Sequence, residues 1–417
     1  MKVIVLGAGV VGIASAWYLA REGHEVVVVE RREGPGLETS FANGGQISVC
    51  HAEPWASPGA PLKILGWLAR DDAPLLFRLR LDPAQWAWGL RFLYECTAWR
   101  ARENLARIVG LALYSRAELQ RLRAETGIAY DERTRGIRHY YTEAAEFEQA
   151  AAAAGAMRRL GLDREVASVE QAIAIEPALA AARSRLVGAT YTPSDESGDA
   201  WLFTTRLARL CEEKGVSLRY GHAIQGLRMR DGRVSGVVVQ GPDGGEETLA
   251  GDAYVVALGS YSPLLTRPLG LEIPVYPAKG YSATVEVADP ALAPTVSLTD
   301  DAAKIVITRL GERLRIAGTA ELSGYSTELN RVRCEALVRR AREMFPGAGA
   351  YDRPTYWTGL RPATPSNVPL VGATRITNLY LNTGHGTLGW TLACGSGAAL
   401  AAIVSARRPE VGLRPAA

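Results

Sequence analysis

Lys2-Val-Ile-Val-Leu-Gly7-Ala-Gly9-Val-Val-Gly12, followed after Ile13–Arg21 by Glu25-Val-Val-Val-Val-Glu30, is the stretch on which the fold of this chain turns. Lys2 to Leu6 is short, apolar and β-branched, which predicts a strand. Ile13 to Arg21 is amphipathic, and Gly23 punctuates its end, which predicts a helix. Val26 to Val29 predicts a second strand, stopped by Glu30. Strand, glycine turn, helix, strand and acid in that order form the dinucleotide fingerprint in its required context. Gly7 permits the tight turn, Gly9 lets a pyrophosphate approach the backbone, and Gly12 lets the helix pack against the sheet. Val10 and Val11 open the helix, whose free N–H groups and positive dipole end attract phosphate. Glu30 stands 18 residues after Gly12, where a carboxylate accepts hydrogen bonds from a ribose. A signal peptide does not fit, because three glycines interrupt the apolar run and no cleavage site follows. A membrane span does not fit either, because Arg21 and Glu22 close a run that is too short.

At 417 residues the chain has room for two domains. Hydrophobic residues at 47% and charged residues at 22% are ordinary for a globular enzyme, and a net charge of +3 gives no argument for nucleic acid. Cys50, Cys96, Cys211, Cys334 and Cys394 are scattered, odd in number and without C-x-x-C spacing. That argues against a disulfide framework and against a metal site, and favours a cytoplasmic setting.

Residues 36 to 51 are polar and glycine-rich. Thr39, Ser40, Asn43 and Gln46 offer side chains to a nucleotide there, and Arg31 and Gly45 are counted with them. Residues 53 to 99 carry Trp55, Trp67, Trp86, Trp88 and Trp99, with leucines interspersed among Lys63, Arg70, Arg78 and Arg80. Such a segment suits a membrane interface or, equally, a buried helical hairpin. Glu103 to Gly127 predicts a long helix capped by Gly127. Gly136 to Thr142 predicts a strand in which His139 and Tyr141 share a face. Ser168-x-x-Gln171 predicts a capping box, and Asp231-Gly232 a hairpin. Strands also run into glycine turns at Gly259 and at Gly384, the latter continuing through Gly386-Thr-Leu-Gly389 into a helix expected at Cys394–Ser405. The expectation is an α/β chain. Residues 1–51, 186–269 and 361–417 form a Rossmann-type nucleotide-binding domain, and residues 52–185 and 270–360 form a discontinuous α+β substrate domain with an antiparallel sheet.

The turn at Gly384, Gly386, Thr387, Leu388 and Gly389 favours FAD over a nicotinamide. A helix start there presents N–H groups to a flavin pyrimidine edge, where negative charge collects on reduction. A simple nicotinamide dehydrogenase seldom completes its nucleotide domain from so distant a segment.

Several blocks together carry a resemblance. They are Val10–Leu19, Leu37-Glu-Thr-Ser40, Asn43, Gly45-Gln-Ile-Ser48, Gly259-Ser-Tyr-Ser262, Pro274–Pro277, Lys279-Gly-Tyr-Ser282, Trp357-Thr-Gly-Leu-Arg-Pro362 and Leu381–Thr391. In sequence and order the chain resembles the bacterial FAD-dependent D-amino acid dehydrogenases of the D-amino acid oxidase/glycine oxidase superfamily. The resemblance implies oxidative deamination of D-amino acids to 2-oxo acids and ammonia, with hydride passing from Cα to flavin N5. It also implies electrons passed to a quinone or other acceptor, and peripheral attachment to the inner membrane. An amino acid carboxylate calls for a bidentate cation, and Arg361, held between Gly359 and Pro362, is the candidate. Tyr281 or Tyr276 is placed to hydrogen-bond the same carboxylate, and His385 to donate to flavin or substrate. Thr387 departs from the glycine-oxidase pattern, where a second Arg can stand near this turn. Two alternatives stay open: an oxygen-using oxidase of the glycine, sarcosine or D-proline type, and a non-catalytic nucleotide-sensing module.

Overall fold

The computed structural model describes residues 1–67 and 75–413. Leu68 and Arg70 of the tryptophan-rich segment lie outside them. Lys2–Leu6 is strand β1, Val10–Arg21 helix α1 and Glu25–Val29 strand β2. β1 lies at the centre of a six-stranded sheet, parallel to β2 on one side and to Ala253–Val256 on the other. Leu379–Thr383 follows in parallel, Leu370–Ala373 closes that edge antiparallel, and Ser217–Arg219 closes the other.

The unbroken valine runs are apolar because both faces of this sheet are covered. Val3, Val5, Val26 and Val28 pack under α1, the helix Ala200–Glu213 and the C-terminal helix Gly389–Val404. Ile4, Leu6, Val27 and Val29 pack against Val234, Val237 and Val239 of a separate three-stranded antiparallel sheet. Asp231 and Gly232 turn that sheet's first hairpin with φ of 52° and 73°, the left-handed pair such a turn requires. The Ser168 capping box is present, and Gly127 ends the long helix in the left-handed region.

A second, nine-stranded sheet stands over the first, built mainly of antiparallel pairs. Its order runs Thr355–Ala363, Tyr276–Glu286, Arg313–Leu322, Ile305–Leu310, Ser297–Asp300, Ile137–Tyr141, Gly188–Thr192 and Glu165–Ala167, with Leu75–Phe77 beside Arg313–Leu322. Two expected domain limits do not follow sheet membership. Gly188–Thr192 pairs with Ile137–Tyr141, and Arg361 lies on an edge strand of this second sheet.

Two helices start earlier than the sequence predicts. The long helix runs Ala98–Thr126, because Arg100 pairs with Glu95 and Glu103 at 2.8 Å and stabilises the additional first turn. The C-terminal helix begins at Gly389 rather than Cys394. Its Gly and Thr residues have weak helix propensity, but Trp390 is buried against Phe203 and Tyr130, with ring centroids at 4.6 and 5.7 Å. Truncating such a residue costs about 3–5 kcal/mol, which outweighs the propensity deficit. Gly395 and Gly397 let this helix sit against Ser115 and α1, where a Cβ would lie 2.6 and 3.0 Å from neighbouring atoms. The run Gly386–Val404 is long and apolar enough to cross a membrane, yet it is a core helix with 78% of its span buried.

Candidate active site

The two sheets enclose one large cavity of about 960 Å³. Gly7, Gly9, Val10, Val11, Glu30, Arg31, Thr39, Ser40, Asn43 and Gln46 line it from the amino-terminal side, and Gly259 joins them at the end of Ala253–Val256. His385, Gly386, Thr387, Leu388 and Gly389 line it from the carboxy-terminal side, and Tyr281 and Arg361 from the second sheet. Segments more than 370 residues apart therefore face one space.

At the first end, Gly7 turns at φ 106° and donates its N–H to Val29 O at 2.8 Å. A Cβ on Gly12 would lie 1.9 Å from Gly7 O, so only glycine permits α1 to start here. Gly9 precedes the first turn of α1 in extended backbone and gives the helix no side-chain cap. Ser40 Oγ accepts one of the free helix donors, Val10 N, at 3.1 Å. The Glu30 carboxylate accepts from Ala8 N at 2.9 Å and Arg32 N at 3.0 Å, which fixes its position at the tip of β2. Arg31 is tied to Glu38 at 2.6 Å and lies 4.2 Å above the Tyr261 ring.

Further along, Thr39 Oγ1 donates to Leu360 O at 2.9 Å, and Gln46 Nε2 donates to Ser297 Oγ and Thr299 Oγ1. These bonds tie the nucleotide-side loop to the second sheet. Asn43 Oδ1 accepts from Gly45 N at 2.8 Å. Gly12, Gly45 and Gly384 do not themselves line the cavity. They shape backbone instead, with Gly45 and Gly384 at φ 78° and 80°.

At the other end, the C-terminal helix also lacks a side-chain cap, and its first turn points at the cavity. Two helix N-termini whose own N-cap residues supply no side-chain cap thus face one space, an arrangement suited to phosphate at one end and a developing negative charge at the other. His385 is buried and bonds Ser396 Oγ through Nε2 at 3.1 Å. Burial pushes its imidazole down to about 3, so it stays neutral at physiological pH.

Arg361 shows how the second sheet makes room for a cation. Arg361 pairs with Ala278, and Gly359 pairs with Gly280. A Cβ on Gly280 would lie 2.3 Å from Arg361 Cζ, and one on Gly359 would lie 2.1 Å from the Trp357 ring. Gly280 leaves the room through which the guanidinium crosses the sheet, and Gly359 leaves room for the Trp357 ring. It donates to Thr319 O at 2.6 Å and Gly318 O at 3.5 Å, leaving further donors for a cavity ligand. Burial, with Arg333 nearby, lowers it to about 10, so it remains charged.

Tyr281 lines the cavity, but its hydroxyl donates to Glu321 at 2.6 Å, and burial together with that carboxylate pushes the phenol well up. Tyr276 is not at the cavity; its hydroxyl donates to Asp82 at 2.9 Å. Sequence reasoning missed Thr319 and Gly280, since no local signal marks a carbonyl or a cleared trough. It also missed Cys50, His51, Arg164 and Asp301 on the cavity wall, although it did place His139 and Tyr141 on one strand face.

The segment 53–99 divides by helix face. Trp88 and Phe92 of helix Pro83–Glu95 are buried and stacked, and Trp88 Nε1 donates to Ala363 O at 2.8 Å. Trp86, Leu90, Leu93 and Tyr94 of the same helix are exposed, joined by Leu62, Leu79, Leu81 and Trp99.

Residues 2–403 match the family model described as FAD dependent oxidoreductase. A D-amino acid dehydrogenase of Dechloromonas aromatica is 61% identical over 410 residues, covering 98% of each chain. Another of Paramagnetospirillum magneticum is 57% identical, covering 99% of this chain and 97% of that one. The fold matches glycine oxidase from Geobacillus kaustophilus with a TM-score of 0.76 at 23% identity, covering 100% of this chain and 98% of that one.

Proposed function

The chain belongs to the FAD-dependent oxidoreductases, and we propose that within this family it oxidises D-amino acids to 2-oxo acids and ammonia. FAD, when bound, supplies a two-electron acceptor that takes hydride from the substrate Cα at N5 of its isoalloxazine. Gly7, Gly9, Val10 and Ser40 would hold its pyrophosphate, Glu30 its ribose, and Gly386 to Gly389 its pyrimidine edge. The protein's further work is positioning. The Arg361 guanidinium takes the substrate carboxylate, the neutral His385 helps define the cavity wall beside it, and the enclosed space excludes water. Proton loss from the substrate amine needs no dedicated acid–base pair.

The observation that carries this reading is Arg361 crossing the sheet over Gly280 to a wall of the large cavity. The substrate class is supported by relatives at 57–61% identity, each named a D-amino acid dehydrogenase. For the same reason we favour an acceptor other than oxygen; the glycine oxidase likeness speaks for the fold alone.

A panel of D- and L-amino acids assayed with an artificial dye, with peroxide followed in air, tests both points. Flavin bleaching by D-amino acids with dye reduction and little peroxide is expected. Bleaching by L-isomers only, or stoichiometric peroxide, refutes the reading. The exposed Trp86, Leu90, Leu93, Tyr94 and Trp99 face, with exposed Lys63, Arg80 and Arg91 nearby, favours peripheral contact with a membrane and its quinone pool.

A further inference from the structure

The wall of the same cavity carries a second cluster of reactive side chains. Cys50 and His51 end a short helical turn, Val49–His51, and His139 stands on the strand Ile137–Tyr141. Cys50 Sγ lies 3.2 Å from His139 Nε2, and Ser48 Oγ lies 3.2 Å from both Cys50 Sγ and His51 Nδ1. One ligand atom from each of Cys50, His51 and His139 falls within 4.8 Å of the other two. The His139 ring nitrogen away from Cys50, Nδ1, contacts Asp301 Oδ2 at 2.7 Å. The His51 and His139 rings face each other with centroids at 4.7 Å.

We propose that Cys50, His51 and His139 bind a Zn²⁺-type divalent cation in the cavity wall, with Asp301 orienting His139 from behind. A tetrahedral zinc with bonds of about 2.0–2.3 Å requires ligand atoms about 3.3–3.8 Å apart, a separation these side chains reach with small rotations. Thiolate and imidazole are the donors such an ion prefers. A carboxylate on the far nitrogen of a ligating histidine fixes its tautomer and raises its basicity. Uptake forms the sulfur–metal bond, breaks the S–H bond and releases that proton to solvent. Arg164, which donates to Cys50 O at 3.1 Å, and Lys304 oppose a cation here, but Lys304 is paired with Asp301 at 3.1 Å and the Asp195 carboxylate accepts from Cys50 N at 3.0 Å. All three ligands line the cavity, so the fourth position opens inward to water or an anionic oxygen.

The test uses the flavin-loaded full chain, stripped with a chelator and dialysed against Zn²⁺ or Co²⁺. A single equivalent per flavin is expected. Bound Co²⁺ should give d–d bands beyond the flavin absorption and a thiolate charge-transfer band. Cys50→Ser and His139→Gln should weaken uptake by more than about tenfold, and Asp301→Asn, which keeps every ligand, by about 10–100-fold. Equal uptake by the unmodified chain and Cys50→Ser, or a Co²⁺ spectrum without a thiolate band, overturns the proposal. The spectrum needs no variant, so poor folding of a substituted chain does not shield the idea.

Discussion

Gly280→Ala isolates the positioning of Arg361 from everything else in the site. Gly280 does not lie in the left-handed region, so the backbone accepts alanine without strain. The new methyl, however, would lie 2.3 Å from Arg361 Cζ and 2.4 and 2.5 Å from its terminal nitrogens. Carbon atoms settle at about 3.5–4.0 Å, so the guanidinium must retreat by about 1 Å or more. That shift breaks the 2.6 Å bond to Thr319 O and moves the fork off the carboxylate it is proposed to hold. A displacement of about 1 Å in a positioning group costs up to about 10²-fold in rate. We therefore expect kcat/KM for a D-amino acid to fall about 10–100-fold, or about 1.4–2.7 kcal/mol of transition-state binding. Flavin content and Tm should stay near those of the parent, because the methyl meets only a side chain. The assay is steady-state dye reduction, with flavin absorbance and a thermal melt on the same preparation. A kcat/KM within twofold of the parent, with flavin retained, would refute the placement of Arg361.

Arg361→Leu should raise KM by about 30–100-fold, as expected for a lost charge-assisted pair of about 2–3 kcal/mol, while flavin absorbance is unchanged; an unchanged KM rejects the role. His385 is held down to about 3 by burial and sits near 6.5 when unfolded. The unfolded chain then binds more protons between those values, so stability present above about 6.5 is lost as pH falls toward 3. Thermal melts from pH 7 to 4 should show a decline that His385→Asn makes shallower, and an equal slope in both proteins counts against it. Replacing Trp86, Leu90 and Leu93 together by Glu should leave dye-linked activity intact and abolish flotation with liposomes at low salt; undiminished flotation of the variant excludes this face as the contact.

The nucleotide end of this molecule was legible in the sequence because its requirements are local. A Cβ at Gly12 collides with Gly7 only five residues away, and β1, α1 and β2 are neighbours in chain and in space. The same holds for the Ser168 cap, the Asp231-Gly232 turn and the Gly127 helix stop. The start of the C-terminal helix was not legible, since poor helix formers at Gly389 and Thr391 are overridden by the burial of Trp390 among residues from other segments. Tyr276 and Tyr281 looked alike from their spacing, and only the packing sent one hydroxyl to Asp82 and the other to Glu321 beside the cavity. The sequence alone determined the strand, glycine turn, helix and strand of the first thirty residues, because backbone geometry over a few residues dictates them. Tertiary structure alone decided that Gly280 clears a path for Arg361, and that Cys50 meets a histidine 89 positions away. Those meetings depend on the register of strands and the closure of long loops, which no short stretch encodes.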